Sequence, residues 1–171
     1  MPAGPLTEIR VQQQDFDIEE ELARVSAGRT DIGAVVTFSG LCRDEGGALA
    51  ALELEHYPGM AEAEIGRIAT TAIARWPLQA VTVIHRHGKI APGENIVLVI
   101  AASTHRHAAF EAASFLMDFM KTSAPFWKRE HGSDGEAGGW VDARDSDDEA
   151  QARWTIETPD DLPNVKHGKN G

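Results

Sequence analysis

Four short apolar stretches of the chain predict β-strands. The stretch 33–39 is rich in β-branched and aromatic residues and leads into a glycine-rich loop. In the stretch 50–57, apolar side chains alternate with glutamates, which is typical of a strand with one solvated face. The stretches 81–85 and 95–102 flank the Pro-Gly turn at 91–94, so we expect them to form a hairpin.

Two longer stretches have the 3.6-residue period of amphipathic helices. In 60–76 the apolar residues recur at i, i+3, i+4 and i+7, and a proline follows directly. A second helix is predicted to start at a cap formed by Ser103 or Thr104 and to continue through His105 to about Lys121. Pro125 should stop or kink this helix, because proline cannot donate a backbone hydrogen bond.

The stretch after Glu130 is rich in glycine and aspartate. It contains one short apolar piece at 140–141, which predicts a brief strand, and an acidic stretch at 145–149 that could open a short helix ending at Trp154. We expect residues 1–154 to form a single domain and the polar stretch 155–171 to be a disordered tail.

Composition narrows the classes of protein to which the chain can belong. It has 171 residues and a formal net charge of −11, and no apolar run approaches the ~20 residues that cross a bilayer. Cys42 is the single cysteine, and the start of the chain lacks the basic and apolar pattern of a secretory signal, so we expect a cytoplasmic protein. The overall acidity argues against broad binding to nucleic acid.

The sign of the charge reverses locally between residues 85 and 129. This stretch contains six Lys and Arg residues against three acids, a local excess of +3, together with four of the seven histidines. A cation-rich region in an acidic protein favours a site for a small anionic ligand.

The first candidate site is the pair His105 and Arg106 at the predicted helix start. A helix N-terminus presents unpaired N–H groups and a partial positive charge, which suit an oxyanion or a phosphate. These residues could equally be solvated residues of a first helical turn. However, the helix dipole disfavours a cation at this position, which favours a ligand.

The second candidate is the pair Lys121 and Lys128, which lie on either side of the bend predicted at Pro125. A lysine that is partly desolvated by Phe126 and Trp127 can act as a nucleophile or as an acid or base. The alternative is a pair of surface lysines at a helix end, where the dipole favours cations.

Two further patterns concern metals and thiols. The His-x-His pairs at 85–87 and 105–107 could ligate a metal, as in a metal-dependent hydrolase, but the flanking arginines would repel a cation and a zinc signature is missing from the sequence. We therefore expect neither a metal nor a cofactor. Cys42 next to Arg43 could be an activated thiol, although a lone buried cysteine is the more common case.

Several motifs resemble those of a known family. They are Phe38-Ser-Gly-Leu-Cys-Arg43, Leu54-Glu-His-Tyr-Pro-Gly-Met60, Val83-Ile-His-Arg-His-Gly88, His105-Arg106, Lys121-Thr-Ser-Ala-Pro-Phe-Trp-Lys-Arg-Glu130 and Trp140-Val-Asp-Ala-Arg144. From about Gly33 to Trp154 the chain resembles the large, catalytic subunit of molybdopterin synthase, with the motifs in the same order and at similar spacing.

The resemblance implies an activity, partners and a fold. Enzymes of this family insert two sulfurs, as a dithiolene, into a cyclic pyranopterin monophosphate during molybdenum cofactor biosynthesis. The sulfur comes from a small ubiquitin-like subunit with a C-terminal Gly-Gly thiocarboxylate. Two large subunits form the centre of a heterotetramer. The implied fold is α+β, an α/β hammerhead-type domain with a small antiparallel β subdomain.

The resemblance also implies roles for individual residues. Lys121 and Lys128 correspond to the catalytic lysines, and Arg43, His105 and Arg106 to the residues that bind the substrate anion. Arg129 and Arg144 are additional candidates for substrate binding, Arg144 from either its own or the neighbouring subunit. The alternative is a non-catalytic module that binds anions or docks a partner on the same scaffold.

Overall fold

A computed structural model describes residues 4–44, 46–140 and 152–154. The described residues form a mixed α+β fold with two sheets, which confirms the predicted fold class. The elements in chain order are β1 Leu6–Gln12, α1 Ile18–Ser26, β2 Ala34–Leu41, β3 Leu49–His56, α2 Met60–Arg75, β4 Leu78–Arg86, β5 Gly88–Ile90, β6 Asn95–Ser103, α3 Arg106–Thr122 and β7 Phe126–Gly132. No helix in the described ranges is long and apolar enough to span a bilayer.

The larger sheet has four strands in the order β1-β4-β6-β2. Strands β4 and β6 pair antiparallel, as do β6 and β2, whereas β1 joins β4 in parallel. The two central strands are apolar on both faces because helices cover both sides of the sheet. Helices α2 and α3 pack on one face, and α1 packs on the other.

The apolar residues of strand β6 pack alternately into two hydrophobic cores, one on each face of the larger sheet. Its residues Val97, Val99 and Ala101 face α2 and α3, and the alternate residues Leu98, Ile100 and Ala102 face the side of α1. This is the two-residue period of a strand, hidden in the sequence because both faces are buried.

The smaller sheet is antiparallel, with the strand order β5-β3-β7. The chain leaves the larger sheet after β4 and enters the smaller one at Gly88, whose φ of +86° suits glycine. Leu54, Ile90 and Cys42 form its small core. This sheet corresponds to the antiparallel β subdomain expected from the resemblance.

Six of the elements in the structure were predicted from the sequence, and four were not. The strands at β2, β3, β4 and β6 and the two helices α2 and α3 are confirmed, and β4 pairs with β6 as the predicted hairpin required. However, the connection between them contains β5, which the sequence pattern did not predict. Strands β1 and β7 and helix α1 were also missed.

The predicted cap of α3 was wrong. The helix begins at Arg106, with His105 as its N-cap and no side-chain cap bond. The hydroxyls of Ser103 and Thr104 are used elsewhere: Ser103 donates to the carbonyl of Pro77, and Thr104 donates to the carbonyl of Asp31. The C-terminal end is confirmed, because α3 stops at Thr122, three residues before the proline.

The last described residues are anchored to the core. The Trp154 ring is buried against Trp76 and Phe115, and its indole N–H donates to Asp118 at 2.6 Å. Trp140 lies in no strand, and Val141, the acidic stretch 145–149 and the tail 155–171 lie outside the described residues.

Candidate functional site

One large cleft opens between the two sheets, with a volume of about 1160 Å³. Its walls come from the loop after β2, the smaller sheet, the C-terminal end of α3 and the turn after β7. The polar groups in these walls include Arg43, His85, Lys121, Lys128 and Glu130. These side chains come from four separate parts of the sequence, so the cleft is a product of the tertiary fold.

Lys121 lies in the last turn of α3 and is exposed at the cleft. A cation here is favoured by the negative end of the helix dipole. The turn that follows is tight: the amide of Ser123 donates to Phe119, and the amide of Phe126 donates to Ala124. The chain therefore reverses within a few residues and enters β7 beside the helix end.

Lys128 lies on β7 directly opposite Leu54 of β3. Side chains alternate along a strand, so Lys128 and Glu130 share the face of the smaller sheet that also carries Leu52 and Leu54, and all four line the cleft. Lys128 is half-buried. The sharp turn and the strand register thus bring the two predicted lysines to one cleft, where an unbroken helix would have put them two turns apart.

Arg43 reaches the same cleft from the loop after β2. This loop is held in place at Cys42, whose amide donates to Glu94 at 2.8 Å and whose carbonyl accepts from Gly93 at 2.7 Å. The Arg43 side chain is exposed. Three cations predicted from the sequence therefore line one cleft in one chain.

Cys42 is buried beside Arg43 and is not an activated thiol. Only 3% of the residue is exposed, and desolvation raises the pKa of the thiol. A raised pKa leaves the sulfur protonated and poorly nucleophilic at neutral pH. The structure agrees with a lone buried cysteine that packs against Leu54 and Ile90.

His85, on β4, contributes a neutral imidazole to the cleft. Its ring stacks on Phe126 with centroids 3.9 Å apart and an interplanar angle of 15°. Burial, with smaller contributions from the nearby Lys121, His56 and His87, lowers the pKa of His85 to about 4. The imidazole is therefore uncharged at neutral pH.

His105 and Arg106 do not reach this cleft within one chain. They are exposed at the N-terminal end of α3, where they line a separate recess of about 640 Å³ with Gly33, Thr104 and Phe110. Arg106 and Lys121 are fifteen residues apart on one helix, which corresponds to about 22 Å along its axis. Within the described residues, a cationic site thus lies at each end of α3.

Arg129 faces away from the cleft, on the opposite side of the smaller sheet. Its guanidinium bonds Glu53 at 3.0 and 3.2 Å and lies 4.4 Å from the centre of the Trp140 ring. Arg129, with a further bond from His131, lowers the pKa of Glu53. These contacts indicate a structural role in joining β3 to β7, and Arg129 does not line the cleft. Arg144 lies outside the described residues.

The two His-x-His pairs lie in different parts of the fold. His85 lines the cleft, whereas His105 and His107 line the recess at the other end of α3. Within the described part of the chain, no three His, Cys, Asp or Glu residues are placed to hold a metal ion.

His85 and Glu130 are among the cleft residues that were not predicted as part of an anion site. His85 was considered only as a metal ligand, and Glu130 only as part of a motif. The signal for His85 was available in the sequence, since it is a titratable residue directly after the apolar run Val83-Ile84 of a predicted strand. Glu130 could not be placed without recognising β7.

The sequence matches one protein-family model and is similar to curated relatives. Residues 11–123 match the family model described as MoaE protein. A molybdopterin synthase catalytic subunit from Mesorhizobium japonicum is 70% identical over 146 residues, which cover 85% of this chain and 92% of the relative.

Structural comparison agrees. A molybdopterin biosynthesis MoaE protein from Burkholderia ambifaria superimposes with a TM-score of 0.76 at 46% identity, covering 89% of this chain and 100% of the other. Molybdopterin synthase from Staphylococcus aureus has a TM-score of 0.68 at 28% identity, covering 76% of this chain and 96% of the other. Fold and sequence therefore point to the same family.

Proposed function

This chain belongs to the MoaE protein family, and on that premise we propose that it is the catalytic subunit of a molybdopterin synthase. It transfers two sulfurs to a cyclic pyranopterin monophosphate and so forms the dithiolene of molybdopterin. The sulfur donor is the C-terminal thiocarboxylate of a small ubiquitin-like partner subunit. The single observation that supports this most strongly is the convergence of Arg43, Lys121 and Lys128 on one large cleft.

The cleft suits both substrates of such a reaction. The precursor carries a phosphate, and the partner's tail ends in an anionic thiocarboxylate, so both bring negative charge to the same place. We assign Arg43 to the substrate phosphate, since the guanidinium fork matches phosphate oxygens. Lys121 and Lys128 polarise the thiocarboxylate carbonyl and stabilise the negative charge that develops during transfer.

We propose that the site is completed by a second copy of the chain. The family resemblance groups His105 and Arg106 with Arg43, yet one chain separates Arg106 from Lys121 by about 22 Å. A two-fold dimer can place the N-terminal end of one α3 beside the cleft of the other. His105, Arg106 and the helix N-terminus then bind the substrate phosphate from across the interface.

The assembly that follows is a heterotetramer, with two copies of this chain at the centre and one small subunit at each end. A cytoplasmic location is supported by the single, buried and unpaired Cys42, which suits a reducing compartment.

Reconstitution from purified components tests the function. The full chain is mixed with the pterin precursor and with a small partner subunit, supplied either as the thiocarboxylate or as the ordinary carboxylate. We expect the dithiolene product only with the thiocarboxylate, two sulfurs being consumed for each pterin. The product is detected by mass spectrometry after alkylation of the two thiols.

The same experiment separates the two candidate functions. If the chain binds the partner's tail and the pterin but forms no product with any sulfur supply, it is a docking module and the proposal is wrong.

A further inference from the structure

His85 shares the cleft wall with Lys121, and the state of its imidazole is fixed by the structure. The ring nitrogen Nδ1 lies 2.8 Å from the carbonyl oxygen of Arg86. A carbonyl oxygen can only accept, so Nδ1 must carry the proton. The neutral ring therefore presents Nε2 as a hydrogen-bond acceptor.

The orientation of this ring is also fixed. Phe126 stacks on it with ring centroids 3.9 Å apart, and Phe126 is the first residue of β7, between Lys121 and Lys128 in the chain. Arg86, whose carbonyl accepts the Nδ1 bond, is itself buried and donates to the carbonyls of Gln13 and Asn95 at 3.0 and 2.9 Å. The acceptor atom is thus held by packing on one side and by a buried backbone on the other.

We propose that His85 is a positioning residue of the cleft, whose neutral Nε2 accepts a hydrogen bond from the Lys121 ammonium and directs it towards the reacting groups. The catalytic purpose of this hydrogen bond rests on the proposed function, whereas the hydrogen bond itself does not. The lysine stem is flexible, so an exposed ammonium lacks a fixed direction unless a neighbour supplies one. A rigid acceptor beside it supplies that direction.

A role as a general base fits the site less well. To take a proton, the imidazole would have to become a buried cation beside Lys121, His56 and His87, and burial already lowers its pKa to about 4. A permanently neutral acceptor can orient an ammonium without competing for its proton.

Histidine NMR tests the geometry without any catalytic turnover. The full chain is labelled with ¹⁵N-histidine, and the His85 ring resonances are compared between the wild type, Lys121→Met and the matched control Lys89→Met. Lys89 is exposed on β5, opposite Glu53 and thus on the face of the sheet away from the cleft. We expect Nδ1 to be protonated and Nε2 to be unprotonated. The ¹⁵N chemical shift of Nε2 should change in Lys121→Met and remain the same in Lys89→Met. A protonated Nε2, or an Nε2 chemical shift that is unchanged in Lys121→Met, overturns the proposal.

Lysine labelling provides a second, independent measurement. His85→Asn keeps an amide near Nδ1 but leaves the Nε2 position empty, whereas His85→Gln places an amide oxygen near Nε2. With an amine-reactive reagent and peptide mass spectrometry, we expect the labelling of Lys121 relative to Lys89 to rise roughly tenfold in His85→Asn, as for loss of one hydrogen bond to a charged group. His85→Gln should restore the wild-type ratio. Equal ratios in all three proteins contradict the proposal.

Kinetics separate this inference from the proposed function. In the reconstituted synthase we expect His85→Asn to lower kcat with little change in KM, and His85→Gln to recover most of the loss. If the wild type forms no product at all, the proposed function fails, while the NMR and labelling results still decide the role of His85.

Discussion

The two ends of α3 both carry cations, but they are built differently. At the C-terminal end, Lys121 lies in a cleft of about 1160 Å³ together with Lys128, Arg43 and the fixed ring of His85. At the N-terminal end, Arg106 and its neighbours lie exposed in a recess of about 640 Å³ next to Phe110, of which 61% is exposed.

The difference shows which end can perform chemistry within one chain. The helix dipole favours Lys121 at its position and opposes Arg106 at the other end. A disfavoured, exposed cation at a helix N-terminus, beside an exposed aromatic ring, is better explained by binding than by stability. We therefore propose that the C-terminal end is the catalytic half of the site and that the N-terminal end is a binding half completed by a second chain.

The largest expected effect comes from removing a cleft lysine. Lys121→Ala and Lys128→Ala should each slow sulfur transfer by about 10²–10³-fold, as for loss of a group that stabilises developing negative charge. Lys89→Ala, which removes an exposed lysine outside the cleft, should stay within about twofold. Single-turnover product formation measures all three variants, and full activity of either cleft variant would remove that lysine from the mechanism.

A smaller effect, of a different kind, is expected at the other end of α3. Arg106→Ala should raise the KM for the pterin precursor by about 10–100-fold and leave kcat nearly unchanged, because it removes a charged contact to the phosphate that is present before and during the reaction. Steady-state kinetics at varied precursor concentration measure the two parameters. A fall in kcat alone would place Arg106 in the chemical step and remove the distinction between the two ends.

The pH dependence of the free energy of unfolding should show that the His85 imidazole is neutral in the folded protein. The pKa of His85 is about 4 in the folded protein and 6.5 as its ordinary value, so the unfolded chain binds the extra proton as the pH falls below 6.5. Stability should decline from pH 6.5 towards pH 4, by about 1–3 kcal/mol from this group. Urea unfolding across that range should show a smaller decline in His85→Gln than in the wild type, and parallel curves would contradict the assignment.

The smallest effect is expected outside both ends. Arg129→Ala breaks the bonds to Glu53 and the contact with the Trp140 ring, yet it removes nothing from the cleft. We expect sulfur transfer to stay within about threefold of the wild type once the folded fraction is matched by circular dichroism. A KM increase as large as that of Arg106→Ala would show that Arg129 binds the substrate after all.

The sequence predicted the regular parts of the fold better than the site. Helix α2 and strands β2, β3, β4 and β6 follow clear apolar patterns, and each was found. Strand β7 was missed because Lys128 and Arg129 interrupt its apolar pattern, and because its register depends on a partner, β3, that is more than seventy residues away in the chain.

The candidate residues were identified by charge and by resemblance, but their grouping was not. Arg43, Lys121 and Lys128 do share a cleft, since a tight turn and a strand register bring them there. The predicted helix already put Arg106 and Lys121 at its opposite ends, but nothing in the local pattern shows that Arg129 turns to Glu53. That contact depends on the alternation of side chains along β7, which appears only when the fold is assembled.

Mixed dimers test the central claim most directly. Differently tagged Lys121→Ala and Arg106→Ala chains are co-expressed, the mixed dimer is purified by both tags, and sulfur transfer is measured at low precursor concentration. If the cleft of one chain works with the α3 N-terminus of the other, the mixed dimer has one intact site and should regain about half of the wild-type activity. If its activity is only the mean of the two parent dimers, the two ends of α3 do not meet across the dimer and the account is wrong.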